Sequence, residues 1–433
     1  MKHTSPTLLV IAALAAAPGM HALSVKDDDL SLGLKLQLQV RAEKSWASDV
    51  NGNNYNLTEN VSNQESDAMD FYVRRARIGF NGTWKGEYKF AFLLRADNQD
   101  KSVGAPNATP TSSLSAGGTE GRTPQTHVAY LERIIKQESL GIEHSIRMGL
   151  DYAWFNGTSA VFSSSSFLFP TERATVKLLA PRGVGVGYKL NSKMVQWGVD
   201  IQNNSVQSGT TSGSGDAQGA ANDGSADGGE GLFMGTRVQV IPYDSDEKGH
   251  MKPVESFLGK DGKGVLISAE YGVNQNDNIG NETNNTHAYG VEVLGHMDAI
   301  TFLGEWRQRL TKPQIATEIQ ASTAYLFQVG YALPMGDQVL EPAIRWTRYN
   351  VNGHTDASGN NESAVYGTDE FGSSGYSYDV GVNYYIHGHS NKLQLAWQHW
   401  RAEDANALYT SNTTGDRATP TADIVRFQWG LSF

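Results

Sequence analysis

Arg75, Arg77, Lys89, Arg95 and Arg147 share one parity along neighbouring stretches of the chain. Arginine stays protonated at ordinary pH, so such a row cannot shuttle protons. Its chemistry is to attract, hold or steer anions. Glu87, Asp97, Glu143 and Asp151 fall on the same parity, so the same cations could instead stiffen a wall as ion pairs. No other constellation assembles a catalyst. The 433 residues include no cysteine, which removes thiol nucleophiles, disulfide frameworks and thiolate metal sites. His127, His144, His287, His296 and His399 are scattered, no G-x-S-x-G occurs, and GKDGKG at 259–264 lacks phosphate-loop spacing. Asp216, Asp223, Asp227 and Glu230 match no calcium loop and read as a solvated polar segment. No catalytic residue, cofactor or metal is therefore expected. A formal net charge of -11 argues against a nucleic-acid partner.

The elements that must position these cations are strands. In 71–97, Ala76, Ile78 and Phe80, with Tyr72, oppose Arg75, Arg77 and Asn81. After the Trp84-Lys85-Gly86 connection, Phe90, Phe92 and Leu94 oppose Lys89, Arg95 and Asp97. Leu30, Leu32, Leu34, Leu36, Leu38, Val40 and Ala42 form one face of a strand long enough to cross a bilayer at a tilt. The signature repeats about sixteen times, an even number suited to a transmembrane antiparallel β-barrel. Parity sends Arg41, Arg237, Arg307, Arg345 and Arg426 inward beside Glu270, Glu292, Glu305, Glu341 and Asp379. Long polar connections, such as 98–125, 152–182 and 203–231, alternate with short ones, such as 83–86, 191–193 and 387–391. The segment 242–263 departs from this rule by being long where a short turn is due. Trp46, Trp84, Tyr88, Trp346, Tyr378, Trp397 and Trp400 gather near strand ends as an aromatic girdle would. The last stretch sets Val425, Phe427, Trp429, Leu431 and Phe433 on one face, as a strand closing a barrel would. At the other end, Lys2 and the apolar run Leu8 to Ala17 read as a secretory leader, giving a signal peptide over 1–22 and a barrel over 23–433.

These residues resemble the phosphate-selective porin O and P family of Gram-negative outer membranes. FYVRRARIGFNGTWKGEYKFAF is similar to the family's arginine-rich strand pair, and FLFPTERATVKLLAPRGVGVGY to the segment leaving its third external loop. YDVGVNYYIHGHSNKLQLAWQHW is similar to its penultimate hairpin. The resemblance implies a sixteen-stranded, usually trimeric barrel in outer-membrane lipid, with the third external loop folded inward. It also implies passive flow of small ions and hydrophilic solutes, with phosphate the candidate anion, and pore-lining cations at Arg75 and Arg77 of the arginine-rich strand and at Arg173 and Lys177 of the third loop; parity adds Lys89, Arg95 and Arg147 to the same lining. That loop reads SAVFSSSSFLF, apolar and hydroxylic where a strict phosphate channel would be lysine-dense, so the expected preference is weak. Other readings of the same barrel are a non-selective or sugar-type porin and a non-conducting structural or adhesive one.

Overall fold

A computed structural model describes residues 24–48, 54–55, 69–97, 125–155, 164–171, 183–203, 232–245, 254–260, 262–279, 282–313, 320–351, 375–402 and 421–432. The expected leader and Phe433 lie outside them. Among the described residues, sixteen long strands build one wall. They are β1 (Leu30–Ser48), β2 (Asp70–Trp84), β3 (Tyr88–Arg95), β4 (Gln125–Gln137), β5 (Ile142–Asp151), β6 (Gly183–Asn191), β7 (Val195–Asn203) and β8 (Leu232–Asp244). The second half comprises β9 (Lys263–Ile279), β10 (Glu282–Met297), β11 (Ile300–Pro313), β12 (Gln320–Tyr331), β13 (Gln338–Val351), β14 (Gly375–His387), β15 (Asn391–Ala402) and β16 (Thr421–Ser432). Three shorter pieces, Ser24–Lys26, Asn54–Tyr55 and Leu333–Met335, extend neighbouring hairpins. Each wall strand pairs antiparallel with the next, and β16 pairs with β1 from Thr421↔Ser48 to Ser432↔Gln37. The sheet therefore closes on itself and leaves no free edge among these strands.

Burial is inverted relative to a water-soluble protein. Phe71 (66% exposed), Met148 (60%), Val184, Ile344 and Val380 point outward, while Arg75, Arg237, Arg307, Gln239 and Gln428 are buried within. An apolar exterior around a polar interior is what a strand wall in lipid requires, because every backbone group is already paired in the sheet. No helix among the described residues is long and apolar enough to cross a membrane.

Bulges correct the simple alternation. Gln39 pairs with Arg75 but Val40 pairs with Val73, so Arg74 is an extra residue in β2. The parity flips there. Tyr72, expected among the outward residues, is 3% exposed and faces Arg41 across the inner wall. His127 is likewise extra in β4, which explains why that strand alternates weakly in sequence. Trp400, expected in the girdle, follows Gln398 onto the inner face and is buried; the residue type suggested a rim position and the two-residue repeat overrode it.

Candidate functional site: the inner wall and its constriction

The expected cations sit on the inner wall at the β2–β5 arc. Arg75 Nη1 donates to Gln39 Oε1 at 2.7 Å, and its guanidinium lies over the Phe167 ring at 5.8 Å. Arg77 and Arg95 are directly opposed in register, an arrangement that repels unless an acid intervenes. Asp97, just beyond β3, intervenes: Arg77 Nη2 meets its Oδ2 at 2.5 Å. Burial pushes the Asp97 carboxyl up, but attraction to Arg77, with Arg75 and Arg74 behind it, outweighs burial and holds it below the usual carboxylate range. Arg147 Nη1 meets Asp151 Oδ2 at 2.5 Å, and its Nη2 lies 3.5 Å from Asp200 Oδ1. Lys89 is half-buried and faces Glu132 in register. The structure thus brings Arg75, Arg77, Lys89, Arg95 and Arg147 onto one arc and shows ion pairing at Arg77 and Arg147. Arg173 and Lys177 lie outside the described residues.

Elsewhere on the inner wall, from β1 round to β13 and β15, cations serve a different purpose. The described part of the third long connection, Ser164–Thr171, lies against the inner wall. Arg41 Nη2 donates to the Pro170 carbonyl. Lys392 Nζ and Gln394 Nε2 both donate to the Phe167 carbonyl, at 2.5 and 3.0 Å. Arg345 donates to Thr171 Oγ1 at 2.6 Å and pairs with Asp379 at 2.9 Å. Leu168 and Phe169 are buried against Ala343 and Ala396. Backbone carbonyls held against the inner wall need donors, and the wall supplies them as arginine and lysine.

The loop's root is seated by glycines. Those opposing Val184 and Val186 in β6, together with Gly198, Gly235 and Gly272, face inward. A Cβ at Gly198 would lie 2.0 Å from the Trp154 indole, and one at Gly235 would lie 2.8 Å from Phe155. The Trp154 ring sits between Lys189 at 4.6 Å and Arg237 at 5.2 Å, and Phe155 packs edge-on against Phe233 at 5.3 Å. Sequence reading noted the β6 glycines but not what fills the space they leave. It also missed Trp154, Lys392 and Glu255, none of which has neighbours in sequence that betray its partners.

One turn carries a pH-dependent group. His389, between β14 and β15, donates from Nε2 to the Ser256 carbonyl at 3.0 Å, beside the Tyr385 ring and near Lys392 and Lys260. Burial, then the Lys392 charge, pushes its pKa down to about 4. The unfolded chain takes up a proton near pH 6.5 that the folded barrel refuses until near pH 4. Stability should therefore fall as pH drops through that window, by up to roughly 3 kcal/mol. His389→Gln should flatten the loss when denaturant midpoints are compared at pH 7 and pH 4.5. An unchanged pH slope would place the imidazole in water.

Comparison with solved structures agrees with this architecture. The anion-selective porin of Comamonas acidovorans aligns with TM-score 0.52 at 12% identity, over 94% of this chain and 100% of that one. An outer-membrane protein of Vibrio cholerae, OmpT in its trimer form, aligns with TM-score 0.51 at 10% identity over 94% and 100%. OmpF of Salmonella typhi, in complex with daunomycin, aligns with TM-score 0.52 at 13% identity over 94% and 100%. No family model and no curated protein matches the sequence. The fold is that of the sixteen-stranded outer-membrane porins.

Proposed function

We propose that the chain is an outer-membrane porin, a non-enzymatic channel through which small hydrophilic solutes and ions diffuse passively, with a weak preference for anions. The observation that carries this reading is the closed wall with charged and amide side chains inside and apolar ones outside. A dry interior of that composition would serve no packing purpose. The anion preference is supported by the cationic arc at β2–β5, and by the structural likeness to the anion-selective porin of Comamonas acidovorans. Membership of the phosphate-selective O and P family rests on the sequence segments quoted above. A homotrimer is supported by that resemblance and by the neighbour described in trimer form. The leader over 1–22 belongs to the same proposal, since it would carry the chain to the periplasm for insertion.

The test is reversal potential across a planar bilayer holding the purified protein in a salt gradient. An anion-selective value is expected. Exchanging Arg75, Lys89 and Arg95 for glutamine should lower the anion-to-cation permeability ratio by about threefold, because a low-dielectric wall focuses the field of those charges into the path. Titrated phosphate should then reduce current more in the wild type than in the variant. A cation-selective wild type would remove the anion reading and leave a general porin.

A further inference from the structure

We infer that Val254–Lys260 is a second constriction, folded into the lumen from the short-turn end and locked there to the third loop, so that the conducting path runs along one side of the barrel. The inference rests on the porin reading for its functional meaning.

The turns at this end join their wall strands across two to six residues, except the β8–β9 connection, which runs from Asp244 to Lys263. An excess of that size would be expected to hang in water, yet Glu255 is 1% exposed and Ser256 0%. Two sets of contacts explain the burial. The first is apolar. Ile241, Leu266, Leu294, Leu303 and Leu326 form a patch on the inner face, which in an open pore would meet water. Phe257 covers it from this turn, stacking on His296 at 3.9 Å, and Phe167 covers it from the third loop. Covering such a patch is favourable because it removes apolar surface from water.

The second set is polar and joins the two inward segments directly. Glu255 Oε2 accepts from the Leu168 backbone N–H at 3.0 Å and from Gln328 Nε2 at 3.1 Å. Phe257 N–H donates to Thr301 Oγ1 at 3.3 Å. A Cβ on Gly388 would lie 3.4 Å from Leu258, and one on Gly259 3.2 Å from Pro334, so the segment spans from β9–β12 to the β12–β13 and β14–β15 turns. The side so covered is that of β9–β15. The third loop also reaches Arg41 on β1 and Arg75 on β2, so what remains is the stretch of wall carrying Arg77, Lys89, Arg95 and Arg147, and the free path runs beside these charges proposed to select its solutes.

The experiment compares single-channel conductance of the wild type with Glu255→Ala/Phe257→Ala, and with a full-length chain in which 254–260 are replaced by Gly and Ser. Folding is confirmed by heat-modifiable mobility. Both variants should conduct more, on the order of twofold, and admit larger neutral sugars, because lumen cross-section sets both. A folded variant with unaltered conductance, beside a conducting wild type, overturns the inference and leaves the porin reading standing. A silent wild type with a conducting variant supports it as a complete plug. If both are silent the porin reading fails, and Ser256→Cys in this cysteine-free chain decides the placement. Slow modification by a polar maleimide on the folded barrel supports an inserted segment, and modification at the rate of a free surface thiol overturns it.

Discussion

Gly198→Val is expected to dislodge the root of the third loop while leaving the wall strands paired. The new Cβ would lie 2.0 Å from the Trp154 ring. The indole has no easy escape, because Lys189 and Arg237 flank it and the Trp154 backbone N–H is bonded to Asp200 Oδ2 at 2.5 Å. Overpacking of this kind costs about 1–3 kcal/mol. It should appear as a lower thermal midpoint together with larger and noisier single-channel currents, since a loosened loop narrows the lumen less well. The control is Gly304→Ala, where nothing lies within 4 Å of the added methyl and no effect is expected. Adding Trp154→Ala to Gly198→Val should restore most of the lost stability, because the two changes act on one contact. Additive losses in that double variant would show that Gly198 serves the strand backbone rather than the indole.

The strands were legible because lipid outside and water inside impose opposite demands on alternate residues, and that contrast is written into Leu30–Ala42 and Val195–Gln202 without reference to any partner. Where the contrast fades, the reading shortened the element. The tip of the β9–β10 hairpin is NQNDNIGNETNN, and both strands run well past their expected limits of 273 and 287, to Ile279 and from Glu282. Pairing there continues without any apolar face to announce it. Bulges were invisible for a related reason. Arg74 in β2 and His127 in β4 are ordinary polar residues, and only the register of the neighbouring strand shows them to be extra.

The cationic arc was legible from parity, whereas the division of labour among the cations was not. Nothing local to Arg41, Arg345 or Lys392 says that they hold the carbonyls of Pro170, Thr171 and Phe167 while Arg77 and Arg147 hold carboxylates of their own arc. The inward turn did leave a trace, as the one connection too long for its end of the barrel. Its apolar anchor Phe257 could have been singled out as an aromatic residue stranded in a polar segment.

Arg307→Met is expected to be among the most destabilising single changes in the inner wall. Arg307 is fully buried and serves three glutamates: its Nη1 pairs with Glu270, and its Nη2 lies 3.3 Å from Glu292 and 3.6 Å from Glu305. Glu292 and Glu305 are directly opposed in register on β10 and β11, so without the guanidinium between them two like charges face each other. Gly290, the register partner of both Glu270 and Arg307, keeps the lane between them open. A Cβ there would lie 2.2 Å from the Glu270 carboxylate. Arg237, 3.8 Å from Glu292, neutralises only part of the cluster. Removing one partner of a buried ion pair costs about 3–5 kcal/mol, most of it from the charge left behind. Refolding yield into detergent, scored by heat-modifiable mobility, should therefore fall sharply for Arg307→Met and less for Arg307→Lys, which keeps the charge but loses the two-pronged geometry. The deciding variant is Arg307→Met with Glu270→Gln and Glu292→Gln. If stranded charge is the cause, yield should recover in the triple variant even though more of the native network is gone. A triple variant worse than the single one would mean that the network's hydrogen bonds, and not its charge balance, hold this side of the wall together.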